Sequence, residues 1–374
     1  MVTSHSWHPG TGRVSSRWPV PVSLQPDELF STWLVRAALA QGCDPLTMTG
    51  DLWPKWRIWT VDPDRGVARN RLMVLARKSG IDVAALEASC FKDIASAVKA
   101  SIANAAFLPW VLALGSRNRQ RHGGLQYCAQ CLMDDKAPFF RLQWRLAWHT
   151  CCAFHKVQLA DCCCTCLAPV EPHRLTALQC VMSTCPSCGY DLRICPTEPA
   201  NVDALAFQKA ADVVVKSGYG LYGETALPTA EWFALNRYFL LLVRAAARRQ
   251  STSFSGCLAM LDANIAATLP SLTGLSFELL PVGERAAFLA CTQSLLCAGP
   301  SRLHDAAHAS LLSSAVLRQD LRLLPLCIQK IVDSLPTHGR SPKVKNKIQT
   351  GQPVPRKTVS RMWARLQRKM RYGS

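Results

Sequence analysis

The run Tyr127-Cys128-Ala129-Gln130-Cys131, answered by Cys152-Ala153-Phe154-His155 and then by Cys163-Cys164-Thr165-Cys166 and Cys185-Pro186-Ser187-Cys188, decides how this chain is built. Twelve of its eighteen cysteines fall between Cys128 and Cys195. A C-x2-C turn holds two thiolates at the bite distance of one tetrahedral metal, and a second pair about 15 to 20 residues later completes the coordination. Twenty residues separate Cys131 from Cys152, and eighteen separate Cys166 from Cys185. The spacing therefore predicts two closed zinc sites, one of Cys128, Cys131, Cys152 and His155, the other of Cys163, Cys166, Cys185 and Cys188. Four protein ligands leave no position for a substrate, so both sites read as scaffolds. Cys151 competes with Cys152, and Cys162 and Cys164 flank Cys163; the x2 spacing favours Cys152 and Cys163 and leaves Cys180 and Cys195 spare. A disulfide framework is the competing reading, but it belongs to short chains in oxidising compartments.

Outward from this module, the chain has 374 residues, room for two or three domains, and a 49% apolar composition that supplies ample core. Its net charge of +18 points to a polyanionic partner. Arg340 to Ser374 holds eleven basic and no acidic side chains, leaving 32 basic against 25 acidic in the residues before it. Most of the excess charge thus sits in the tail. The longest uncharged stretch, Ala100 to Ser116, contains Asn104 and Pro109 and is too short to span a bilayer. With no apolar signal segment either, a soluble protein of a reducing cytoplasm is expected.

Residues 1–20 read as a loose leader. Pro26, Asp27 and Glu28 read as a helix start, with Leu29, Trp33 and Ala37 forming its buried stripe and Arg36 able to bridge to an acidic neighbour. Trp53, Trp56 and Trp59 read chiefly as core, with base stacking beside Arg57 as the alternative. Helices are expected near Arg69 to Ser79 and Val83 to Ala100. Between the halves of the first site, Phe140, Trp144 and Trp148 recur every four residues, predicting a helix with Arg141 and Arg145 on a basic face. After Pro196 few strand signals appear; helices are expected from Ala230 to Arg249, near Gly283 to Cys297 and from Leu303 to Ser334. Pro336 to Pro355 is linker-like. Thr358 to Tyr372 reads as a basic amphipathic helix, with Val359, Trp363, Leu366 and Met370 on one side and Arg361, Arg365, Arg368, Lys369 and Arg371 on the others, the candidate contacts to nucleic acid or a nucleoprotein partner. No P-loop, G-x-S-x-G or H-E-x-x-H is present, so the chain does not read as an enzyme.

The expected fold is mainly α. It comprises a leader (1–20), a helical amino-terminal domain (21–120), a zinc module (121–198), a helical carboxy-terminal domain (199–335) and a basic linker with an amphipathic helix (336–374).

Several of these motifs resemble the TniQ/TnsD proteins of bacterial transposons. The resemblance is carried by Pro21-x4-Pro26-Asp27-Glu28-Leu29-Phe30-Ser31-Thr32-Trp33-Leu34-Val35-Arg36-Ala37-Ala38, Tyr127-Cys128-x2-Cys131, Phe140-Arg141-x2-Trp144-Arg145-Leu146-Ala147-Trp148 and Cys152-x2-His155. Leu159-x3-Cys163-x2-Cys166 and Cys185-Pro186-Ser187-Cys188-Gly189 continue it, over about residues 19 to 195. Ala153 stands where proline is common in the family, and the run Cys162 to Cys164 is unusual. The resemblance implies a non-catalytic target-selection adaptor that recognises attachment-site DNA or a guide-RNA surveillance complex, the latter as a homodimer. It passes that location to an AAA+ regulator and, through it, to the transposase. CRISPR-linked and resistance-transposon types both remain open, as does a stand-alone zinc-containing DNA-binding regulator. Either role would place the protein at the bacterial nucleoid.

Overall fold

The computed structural model describes residues 17–98, 108–114, 124–249, 252–263, 275–318 and 324–337, together with 358–360, 362–363 and 367 of the tail. The fold is mainly helical, with two small antiparallel hairpins among the described residues. Five helices come first: α1 Phe30–Ala40, α2 Pro45–Leu52, α3 Arg69–Ser79, α4 Val83–Ala88 and α5 Lys92–Val98. A short α6, Ala129–Asp134, and the hairpin β1 Cys151–Cys152 and β2 Val157–Gln158 belong to the cysteine-rich segment. The carboxy-terminal part holds α7 Val202–Ser217, the hairpin β3 Tyr219–Tyr222 and β4 Thr225–Pro228, then α8 Thr229–Arg249, α9 Thr252–Met260, α10 Val282–Ala309, α11 Ser314–Arg318 and α12 Leu326–Ser334.

Local chemistry explains many of the boundaries. Arg77 and Lys78 occupy the last turn of α3, where cations oppose the helix dipole, and Gly80 closes it in a left-handed conformation at φ 77°. Asp82 caps α4 by accepting from the N–H of Ala84 at 2.8 Å, and Asn201 caps α7 by accepting from Ala204 at 2.9 Å. The long α10 breaks at Gly299, whose φ of 69° no helix contains, just before Pro300.

Two of the sequence expectations fail for a shared reason. The first helix opens at Phe30 rather than at Pro26: Asp27 has a φ of 57°, and the backbone of Glu28 forms an antiparallel β-bridge with Arg141 while its carboxylate pairs with Arg36 at 2.6 Å. The helix expected across Phe140 to Trp148 is an extended segment with one 3-10 turn, Leu142–Arg145. Its backbone groups bond outward: the N–H of Leu29 to Phe140 O (3.0 Å), of Leu142 to Asp27 O (2.7 Å), of Leu112 to Arg145 O (2.9 Å) and of Ala147 to Trp110 O (2.7 Å). Groups satisfied by neighbouring segments are not available for helical bonds. The expected basic face is absent as well. Arg145 is fully buried against Asp62 and Asp64, and Arg141 pairs with Asp135 at 2.9 Å.

Three apolar cores follow the order of the chain. Trp33, Leu34, Leu52, Leu72, Leu75 and Leu86 pack α1 to α4 together. Tyr127, Leu132, Phe140, Trp144 and Leu159 surround the cysteines, with Leu29 and Val35 reaching in from α1. The largest core joins α7 to α12 and takes in Trp110 and Trp148. Trp110 is its pivot, with ring centroids 5.5 Å from Phe233, 5.7 Å from Phe277 and 6.3 Å from Trp148. At this junction the buried Arg285 donates to the carbonyls of Leu280 and Ala147 and to Gln126 Oε1 (3.2, 2.8 and 2.7 Å). Burial lowers its pKa to about 10. The carboxy-terminal helices are thereby fastened to the cysteine-rich module. No helix among the described residues is long and apolar enough to cross a membrane.

Candidate metal centres

Helix α6 follows directly on Cys128 and carries Cys131 one turn later, which sets these two sulfurs side by side. The hairpin β1–β2 returns Cys152 and, in its turn, His155. The distances within the cluster are 3.6 Å for Cys131 Sγ to Cys152 Sγ, and 3.5, 3.3 and 3.6 Å from His155 Nδ1 to the sulfurs of Cys128, Cys131 and Cys152. In the second cluster Cys163 Sγ lies 3.7 Å from Cys188 Sγ, and Cys166 Sγ 3.7 Å from Cys185 Sγ. All four ligand atoms of each cluster lie within 4.8 Å of one another. A tetrahedral ion with metal–sulfur bonds of about 2.3 Å would hold its sulfurs roughly 3.8 Å apart. Both clusters have the shape and donor set of a metal site.

Competition among adjacent thiols is decided by backbone geometry. Successive strand residues face opposite ways, so in β1 Cys152 turns into the cluster while Cys151 turns into the carboxy-terminal core, beside Asn201. Of the run Cys162 to Cys164, Cys163 enters the second cluster. Cys164 is paired as a disulfide with Cys195, so neither of these is spare. Tyr127, the residue before the first cluster, donates its hydroxyl to Cys162 O at 3.0 Å and rests 3.2 Å from Cys195 Sγ. Cys180 is a free, exposed cysteine, as its spare status implied.

The electrostatics of each cluster follow from how closely its thiols are crowded. Burial raises the Cys185 thiol to about 12 against the help of backbone N–H groups of Cys188 and Ser187, with the neighbouring thiols adding to the rise. Cys163, although burial opposes ionisation, is drawn down to about 7 by N–H groups of Cys166 and Thr165 and by the Cys188 and Cys166 thiols. In the first cluster Cys131 is pushed up by Cys128 and Cys152, whereas Cys152 is pulled down by Cys128 and Cys131. Sulfurs this close, three in the first cluster and four in the second, resist ionising together unless a cation sits among them. A divalent ion would supply that charge.

Sequence reading missed Asp134. Its Oδ2 lies 2.9 Å from His155 Nε2, which fixes the ring with Nδ1 toward the sulfurs. The usable signal was its place at the end of α6, one turn after Cys131. It also missed how each cluster's intervening loop is held. Arg145, in the first loop, reaches Asp62 at 2.6 Å and Asp64 at 2.8 Å. In the second, His173 stacks on Trp59 at 5.1 Å between centroids, and the N–H of Ala177 bonds Asp44 Oδ1 at 2.6 Å.

The tail candidates Arg361, Arg365, Arg368, Lys369 and Arg371 lie outside the described residues, as does most of the leader. Residues 358–360, 362–363 and 367 are helical, and Val359 and Trp363, expected on the apolar side, are 51% and 60% exposed.

Among known proteins, no curated protein matches the chain. A family model does match: that of TniQ, over residues 19–159. The match takes in α1 to α6 and all four ligands of the first cluster, while the second cluster lies beyond it. Across that stretch, a little over a third of the chain, the sequence matches a TniQ domain, the domain of a family associated with transposition.

Proposed function

We propose that the protein is a non-catalytic adaptor that selects the target site for DNA transposition, with two structural zinc ions. Cys128, Cys131, Cys152 and His155 hold one, and Cys163, Cys166, Cys185 and Cys188 the other. The observation that carries the reading is the coincidence of a TniQ match with a cluster whose four donors already stand at tetrahedral separations inside the matched stretch. Soft thiolates with one imidazole in a tetrahedral set favour zinc over magnesium or calcium. A saturated ion contributes folding energy and no open position for catalysis.

In this reading residues 21–120 and the zinc module form the recognition body, and 199–335 a helical platform joined to it through Arg285 and Trp110. The basic helix in 336–374 supplies phosphate or nucleoprotein contacts through Arg361, Arg365, Arg368, Lys369 and Arg371. The partners are attachment-site DNA or a guide-RNA surveillance complex on one side and an AAA+ regulator on the other, at the bacterial nucleoid.

Elemental analysis of the purified chain should return two zinc atoms. In a reconstituted transposition reaction its omission should abolish targeting while strand transfer by the transposase persists. Absence of zinc, or targeting that proceeds without this chain, overturns the proposal.

A further inference from the structure

Between Lys55 and Lys78 the chain carries seven basic side chains and only two carboxylates. Both carboxylates, Asp62 and Asp64, turn inward to the buried Arg145. Lys55, Arg57, Arg65, Arg69 and Arg77 are exposed, and Arg71 and Lys78 half-buried. Segregation of this kind is not set by composition, since the surrounding domain is close to balanced in charge; the fold has moved the negative groups to the inside.

Helix α3 organises the surface. Leu72 and Leu75 face the core, while Arg69, Met73 and Arg77, spaced four apart, run along the outward stripe. The guanidinium of Arg71 lies 3.8 Å over the ring of Trp56, and Trp53 Nε1 donates to Arg71 O at 3.3 Å. These two contacts fix the turn bearing Lys55 and Arg57 beside the first turn of α3. Two nearby carboxylates compete. Glu87 pairs with Arg69 at 3.0 Å, with both side chains exposed, and Asp82 is engaged in capping α4.

We propose that α3 and the Lys55 to Arg57 turn form a binding surface for the phosphodiester backbone of duplex DNA, separate from the tail. At about 1.5 Å per residue α3 is roughly 16 Å long, matching four to five base-pair steps of about 3.4 Å. Single strands are bound chiefly by stacking bases on open aromatic faces. Trp56 offers none: Arg71 covers it, and Trp53 meets it edge-on at 5.2 Å. Cations along the outward stripe of a helix position a duplex through its phosphates without reading its sequence. The inference goes beyond the adaptor reading and rests on it only in taking DNA as a partner.

The test is fluorescence anisotropy of the full chain with a labelled duplex of about 30 base pairs, in salt from about 50 to 200 mM. The triple variant Arg57→Gln, Arg69→Gln, Arg77→Gln should bind roughly tenfold more weakly or worse, with a salt slope lower by about 0.9 per contact removed and an unchanged helical spectrum. Glu87→Gln, which releases Arg69, should tighten binding. Arg361→Gln, Arg365→Gln, Arg368→Gln runs in parallel to separate the tail. Wild-type affinity in the first triple variant, loss confined to the tail variant, or tighter binding of the matching single strand each overturns the inference. None of these outcomes touches the zinc content or the targeting reaction. Conversely, loss of those two with the anisotropy result intact removes the adaptor reading and leaves the surface standing.

Discussion

The two cysteine clusters share a spacing and differ in almost everything around it. Cys128, Cys131 and Cys152 are buried and His155 nearly so, while Cys166 and Cys188 of the second cluster are exposed. The first has a carboxylate behind its histidine; the second, all thiols, has none in the same role. The loop of the first is tied down by a buried ion network through Arg145, whereas the loop of the second has no such network and is held by buried Val170, Leu175 and Met182 with one ring stack and one hydrogen bond to the amino-terminal helices. Identical C-x2-C spacing thus serves two jobs. The first cluster is the keystone between the amino-terminal and carboxy-terminal cores. The second shares the first cluster's apolar core through Cys163, Leu175, Cys185 and Leu192 but turns Cys166 and Cys188 to the surface.

The strongest way to break this comparison is to remove one thiol from each. Cys131→Ser should abolish cooperative folding of the chain, because a structural ion of the kind proposed would supply about 10 kcal/mol or more, comparable with the whole stability of a domain. Cys188→Ser should release one metal and lower the melting temperature while leaving the helical signal in place. Circular dichroism melts with zinc analysis decide it; equal damage from both variants would end the distinction.

Next in size is the network that holds the first loop. Arg145→Met removes a buried cation and leaves Asp62 and Asp64 facing each other, a loss of about 3 to 5 kcal/mol. Ser31 donates to Asp64 through both its N–H (2.7 Å) and its hydroxyl (2.9 Å), so part of the cost falls on α1 as well. Denaturant titration should show the drop. Restoring stability with a simultaneous Asp64→Asn would sharpen the assignment to unpaired charge rather than lost packing.

Asp134→Asn comes third. A carboxylate behind a ligating histidine is worth roughly ten- to a hundredfold in metal affinity. Competition with a chromophoric chelator should show one of the two ions weakened by that factor and the other unchanged. A shift in both would mean that Asp134 acts on the fold and not on His155.

How much of this was legible follows from which forces act locally. Ligand spacing is a covalent property of the chain, and the structure gathers the eight residues that spacing selects. Helices α3 and α8 carry their own signals, a capping glycine or a wide apolar stripe, and lie where the sequence reading puts them. Phe140, Trp144 and Trp148 mislead because a spacing of four fits any segment whose large side chains enter one core; what settles its form is where the backbone hydrogen bonds go, and those partners lie more than a hundred residues away for Leu29 and Leu142. The β3–β4 hairpin was invisible for a related reason. Its strands are four residues long, and Gly220 sits there because a Cβ would come within 2.5 Å of Trp232, a contact no local pattern reveals. Asp134 and the choice of Cys152 over Cys151 likewise depend on which way a side chain turns once β1 and α6 are placed.

The smallest expected effect lies in the second loop and depends on pH. Burial, aided by the charge of neighbouring Arg174, lowers the His173 pKa to about 4, below the usual value near 6.5. Folding therefore favours the neutral ring. Above pH 6.5 neither state is protonated and the stack on Trp59 contributes in full; as pH falls toward 4, the unfolded chain takes up a proton that the folded chain refuses, and stability is lost through that window. Metal release from the thiolates occurs in acid too, so the comparison must be between wild type and His173→Phe, which keeps an aromatic face for Trp59 but cannot titrate. Between pH 6.5 and 4 the variant should lose stability less steeply, by under about 2 kcal/mol in total once partial solvent access is allowed for. Parallel curves for the two proteins would mean that the second loop is held by its metal and its apolar contacts alone, and the contrast between the two loops would then rest entirely on Arg145.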